Sequence, residues 1–137
     1  MIYGWILFIV VVLGGGMMLY AMSKKRALSD IDRDKVRSAW ANIELLVEGD
    51  NDSEWVKAVF EADKLLDFAL VQRRVAGESL GERLKNAKPL FGNIDAAWQA
   101  HKVRNELAHN MNAQLTRPQI ERAMDNFKRA LRRLGAL

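Results

Sequence analysis

The sequence predicts an all-α protein: an N-terminal transmembrane helix followed by a five-helix bundle. Three observations carry that expectation. The 137 residues hold 21 Lys and Arg and 17 Asp and Glu, yet none of these falls within residues 1–22, a stretch of apolar residues and glycines. Beyond it, apolar positions recur at helical spacing, without strand-like alternation of useful length. Cys is absent and Pro occurs twice, which excludes a disulfide framework and argues against a turn-rich β fold. With no second long apolar run, a polytopic membrane protein is excluded as well. A net charge of +4 permits anionic partners without demanding them.

Residues 1–22 read as a membrane anchor. A helix of this length spans roughly the 30 Å hydrocarbon core, and Tyr3, Trp5 and Tyr20 lie near its ends, where amphipathic rings favour the interface. The basic juxtamembrane segment, residues 23–28, opens with Ser23-Lys24-Lys25-Arg26. Three cations after the span and none before it place the N-terminus outside and the following domain in the cytoplasm. The expected partner of this segment is the lipid bilayer. A cleaved signal peptide is the competing reading, but no basic residue precedes the apolar run and Tyr20-Ala21-Met22 is a poor cleavage site. Gly14-Gly15-Gly16 lacks GxxxG spacing and reads as a tolerated soft spot.

Residues 29–137 form the bundle. Ser29 or Asp30 caps a first helix to about Glu48, with Val36, Trp40, Ile43 and Val47 on one stripe. Gly49-Asp50-Asn51-Asp52 is a turn, and Asp52 or Ser53 caps a second helix to about Val75, ended by Gly77. Ser79-Leu80-Gly81-Glu82 is a capping-box pattern for a short third helix, punctuated by Pro89 and Gly92. Asn93 or Asp95 opens a fourth helix through Ala97, Trp98 and His101, with Asn110 as its stop. Thr116-Arg117-Pro118-Gln119 is a second capping box with Pro in the first turn. It opens a fifth helix carrying Ile120, Met124, Phe127 and Leu131, and Gly135 supplies the stop. Short polar loops between five helices make mostly antiparallel neighbours.

Chemistry has few places to reside. The chain has no Gly-rich phosphate loop, no GxSxG and no HExxH. Two His, at 101 and 109, are too few for a His-rich metal site. No cofactor or metal is expected. The one constellation that stands out is Arg104-Asn105-Glu106-Leu107-Ala108-His109, near the end of the fourth helix. Arg104 and His109 lie about 140° apart around a regular helix and do not touch there, so one cleft collects both only between packed bundles.

This segment resembles the RxxxxH motif of the HEPN (higher eukaryotes and prokaryotes nucleotide-binding) domains. The order of two long helices, a short helix containing Glu82-Arg83-Leu84-Lys85, the motif helix and a final helix is similar to that family over about residues 30–135. The resemblance implies a HEPN-like bundle and a metal-independent endoribonuclease, with Arg104, Asn105 and His109 as site residues. It also implies a homodimer in which Arg and His of two copies line one cleft, with RNA or a nucleotide as partner. The residue types suit that chemistry. Histidine exchanges protons near neutral pH, and a permanently charged Arg forks onto a phosphate. Asn105 would orient the His or contact RNA.

Plainer readings stand beside it. His109 near a helix C-terminus gains favourable dipole interaction, Arg104 pairs with neighbours on the Glu106 side or with an acidic residue of another helix, and Asn105 is a satisfied buried amide. The alternative function is a non-catalytic, membrane-tethered module that binds a nucleotide, RNA or a protein. His101 falls on the apolar stripe and reads as a hydrogen-bonded core histidine. Asp63 and Asp67 read as a solvated face beside Lys64, or else as holding a cation or orienting a basic partner. The run Arg122, Lys128, Arg129, Arg132, Arg133 tracks phosphates or is simply a charged outer face, and has no interleaved exposed aromatics. Trp40, Trp55 and Trp98 read as core.

Overall fold

The computed structural model describes residues 2–23, 27–110 and 112–137; of residues 2, 3, 18–23 and 31 it describes the backbone alone. Among the described residues the chain is six α-helices and no strand: α1 (Ile2–Ser23), α2 (Asp30–Glu48), α3 (Asp52–Gln72), α4 (Leu80–Ala87), α5 (Asp95–His109) and α6 (Arg117–Arg133). A 3-10 turn, Lys88–Leu90, follows α4. The five helices expected after residue 28 are α2 to α6.

The expected transmembrane element is corrected. The side chains of α1 are described for residues 4–17 and are exposed. Among the described residues no helix is long and apolar enough to cross a membrane. The cations at 24–26 and the side chains of Tyr3 and Tyr20, on which the topology expectation leaned, lie outside what is described.

Helix ends follow local chemistry. Ser29 Oγ accepts from the Asp32 amide and so caps α2. At α3 the cap is Asn51, one residue before the expected Asp52, because its Oδ1 accepts from the Ser53 amide at 3.0 Å. That helix ends at Gln72, short of Val75. Arg74 takes a left-handed φ of 55°, and the Val75 amide turns back to the Leu70 carbonyl, the arrangement of a Schellman-type stop. Gly77 has φ 143°, and a Cβ there would meet the Arg83 amide nitrogen at 2.8 Å, so only glycine fits. Ser79 caps α4 as expected, while Glu82 reaches the Glu78 amide instead of that of Ser79. Thr116 and Gln119 form the expected box at α6.

Helix α3 is central: it packs against α2, α4, α5 and α6, and α5 packs along α6. Its stripe of Val59, Leu66 and Leu70 meets Val36 and Ile43 of α2 and Phe127 and Leu131 of α6 in the core. Trp40 is buried, and Trp55 and Trp98 pack against the core from its margin.

Arg117 fastens the far end. Its guanidinium donates to the carbonyls of Gly49 at 3.0 Å and Val47 at 3.0 Å, pairs with Asp50 and Glu121, and lies 4.9 Å from the ring centroid of Trp55. Trp55 Nε1 donates to the same Gly49 carbonyl at 2.7 Å. The unsatisfied carbonyls and negative dipole end of α2 are thereby met by a cation. Arg73 does likewise at the other end, donating to the Leu134 carbonyl at 2.9 Å.

Lys128 of α6 hydrogen-bonds Glu44 of α2. That bond, aided by the charges of Lys128 and Arg132, holds the Glu44 carboxyl below its ordinary range.

Two outcomes are expected. Arg117→Ala should lower stability by about 2 kcal/mol, reducing the melting temperature by roughly 8 °C, and Arg117→Lys should recover only part, since an ammonium cannot fork between two carbonyls. Thermal melts followed by circular dichroism test this. The Glu44 pair is present above the ordinary carboxylate range and is lost as pH falls through the lowered value. Glu44→Gln should therefore flatten the acid limb of melting temperature against pH, by a small amount because the pair is solvent-screened.

Candidate functional site

The Arg104 segment occupies the last turns of α5, where Phe60 and Asp63 of α3 lie against it. Asp63, in the middle of α3, is only 5% exposed. The expected solvated carboxylate is thus a buried one. It sits four residues after Val59 and three before Leu66, on the stripe that turns toward α5, and its charge is compensated there by two side chains of α5.

His101 Nδ1 lies 2.8 Å from Asp63 Oδ1, and Arg104 Nε lies 3.4 Å from Asp63 Oδ2. Arg104 Nη1 donates to Asn105 Oδ1 at 3.1 Å. Asn105 Nδ2 is then the group facing His101 Nε2, at 3.2 Å. An amide N–H donates, so Nε2 accepts and His101 carries its proton on Nδ1, directed at Asp63. The Arg104 guanidinium also stacks over Phe60 of α3, 5.1 Å from the ring centroid, a cation–π contact. Trp98 meets the His101 ring edge-on at 6.1 Å.

The plainer readings of three residues therefore have direct geometry behind them. His101 is a hydrogen-bonded, mostly buried histidine; Arg104 pairs with a carboxylate of another helix; Asn105 is a satisfied amide. Yet Arg104 is not sequestered. Its side chain keeps 31% of its exposure, and among the described residues its Nη2 makes no hydrogen bond. The Nε–Asp63 contact is an ion pair without hydrogen-bond geometry, for Arg104 Nε is a buried donor without a hydrogen-bond partner.

His109 stands apart. It is the last residue of α5 and exposed. Within one copy the structure does not bring it to Arg104: the two side chains leave the helix about 140° apart. Asn105 is the residue that links Arg104 to His101, rather than to His109.

Asp63 and Phe60 are the members that the motif missed. The signal for Asp63 was available, as a charge set among Val59, Ala62 and Leu66 at helical spacing, which calls for a partner. Asp67, one turn on, lies 3.5 Å from Arg83 of α4. Among the described residues no group of three or more His, Asp or Glu is placed to hold a metal ion. The basic run of α6 is divided: Lys128 pairs with Glu44 and Arg129 with Asp125, while among the described residues Arg122 has no ion pair.

Compared with known proteins, the chain matches no family profile, no curated protein and no solved structure.

Removing Asp63 strands the His101 N–H and the Arg104 guanidinium together. Asp63→Ala should cost about 2–3 kcal/mol in urea denaturation. A double-mutant cycle with His101→Ala should show coupling above about 1 kcal/mol. Additive losses would mean that the two residues act independently.

Proposed function

We propose that the bundle is a HEPN-like domain that acts on RNA as an endoribonuclease, with Arg104 and His109 as its reacting groups and Asn105 as a positioning residue. The observation that carries this reading is the state of Arg104. It is held by Asp63, Asn105 and Phe60 and still offers part of its guanidinium to solvent. A preoriented cation with donors to spare suits a phosphate whose charge grows during reaction. His109, exposed at the end of the same helix, is available to exchange protons.

Because the two diverge around α5, a single cleft needs two copies, with Arg104 and His109 of both facing a shared groove. There the ribose 2′ oxygen attacks the adjacent phosphorus and the P–O5′ bond breaks. The products are a 2′,3′-cyclic phosphate and a 5′-hydroxyl end. One His109 accepts the 2′-hydroxyl proton, and the second copy's histidine or a water returns a proton to the leaving oxygen. Arg104 stabilises the charge on the non-bridging oxygens.

The Asp63–Arg104 contact favours a second reading, in which the bundle binds RNA, a nucleotide or a protein without cleaving it and Arg104 ties α5 to α3. Cleavage of labelled single-stranded RNA by the full-length chain separates the two. Under the first reading His109→Ala lowers the rate by about a hundredfold or more, with the melting temperature unchanged. Arg104→Lys also lowers it, keeping the charge but losing the fork. Under the second, the wild-type chain leaves RNA intact and Arg104→Ala only lowers the melting temperature.

A further inference from the structure

Helices α5 and α6 enclose a groove on the side of α5 away from Arg104, with a volume of about 320 Å³ and lined by Gln99, Lys102, Val103, Leu115, Gln119, Arg122, Ala123 and Asn126. The size falls within the range of about 300–1,000 Å³ usual for small-molecule sites. Its chemistry is one-sided, because no carboxylate lines it. Lys102 on one wall and Arg122 on the other have no ion pair among the described residues. The grooves beside Glu44 and Glu61 carry acids, and in the one beside Phe91 Arg129 is already paired with Asp125, which leaves Arg133 as its one cation without an ion pair among the described residues.

Donors are also in excess. Asn126 is 4% exposed, and its Oδ1 accepts from Arg129 at 2.8 Å. Among the described residues its Nδ2 makes no hydrogen bond, which leaves an amide donor for an acceptor in the groove. The Gln119 oxygen is committed to the Thr116 cap, so that side chain too has only its N–H groups to offer. Val103, Leu115 and Ala123 supply apolar wall between these donors. Two cations, two amide donors and an apolar wall match an anion that carries a flat, acceptor-bearing ring.

Position links the groove to His109. Lys102 and His109 are seven residues apart, about 20° apart around α5 and roughly 10 Å along its axis. A strand following that stripe passes from His109 into the groove.

We infer that the α5/α6 groove holds one nucleotide unit of a single-stranded RNA, its phosphates on Lys102 and Arg122 and its base edge on Asn126. The inference rests on the RNA reading above and names the surface that grips the strand beside His109. It is tested with the full-length chain and a fluorescently labelled single-stranded 2′-O-methyl RNA, which binds but lacks the attacking hydroxyl. Anisotropy titrations over a range of KCl concentrations give the slope of log K against log salt. Each phosphate contact to a single strand contributes about 0.7 to that slope. Lys102→Gln and Arg122→Gln should each reduce it by about 0.7, and the double variant by about 1.4. Lys85→Gln, on the exposed side of α4, should leave it unchanged. An unaltered slope in the double variant, or an equal fall in Lys85→Gln, overturns the groove. The two proposals fail separately. An unaltered slope beside loss of cleavage in the His109 variant removes the groove alone. A reduced slope with no cleavage of unmodified RNA by the wild type removes the enzyme alone.

Discussion

A carboxylate buried in the middle of α3 constrains the geometry around it. An uncompensated charge in that position is strongly unfavourable, so Asp63 requires partners from whichever helix covers it. Helix α5 supplies two, His101 and Arg104, three residues apart and thus on neighbouring turns of one face. Apolar side chains tolerate sliding by a fraction of a turn. A hydrogen bond of 2.8 Å to one carboxylate oxygen and a cation beside the other do not. The contact therefore sets the register of α5 on α3. The position of Asn105 follows, because its amide is satisfied only when Arg104 and His101 are both in place.

The ends of the bundle obey the same logic with different groups. Each helix C-terminus presents carbonyls that lack an intrahelical donor. In α2 these are met by Arg117 and in the last turn after α6 by Arg73, each reaching across from another helix. Arg117 uses the guanidinium as a planar fork between two carbonyls rather than as a point charge. Arg117 adds a stacking face on Trp55, whose indole N–H shares the same carbonyl. A short-range capping problem is solved by a long-range contact, which couples the ends of α2, α3 and α6. Loss of one side chain is felt at three helices.

The helices of the bundle were legible in the sequence because periodic apolar residues and capping residues are local signals. Ser29, Ser79, Thr116 and Gly135 act where the chain places them. The N-terminal anchor rests on apolar length, end aromatics and the cations that follow, yet among the described residues no helix is long and apolar enough to cross a membrane. The early stop of α3 escaped because a left-handed Arg74 has no composition signature; glycine or asparagine usually takes that role. Arg104, Asn105 and His109 stand out in the sequence by their spacing, but spacing along one helix carries no information about what lies opposite. Asp63, 38 residues before His101 in the chain, was visible only as a charge on an apolar stripe. That pattern says a partner exists and leaves its identity to the tertiary structure.

The anchoring of Arg104 bears on whether a structural and a chemical role compete in one residue. A free arginine on a helix surface surrenders roughly 2 kcal/mol of rotamer entropy when it grips a phosphate. Here Asp63, Asn105 and Phe60 have already removed much of that freedom on folding. Binding through the remaining nitrogen then needs less further ordering, the sense in which preorganisation strengthens a site. Asp63 at the same time neutralises part of the positive charge, which weakens attraction at long range. Under the proposed reading, that balance suits a group that holds a phosphate delivered to it better than one that draws RNA in from solution. Cations without acidic neighbours, such as Lys102 and Arg122, are better placed for that second task. Under the proposed enzymatic reading, the tie between α3 and α5 would prepare Arg104 for chemistry rather than compete with it.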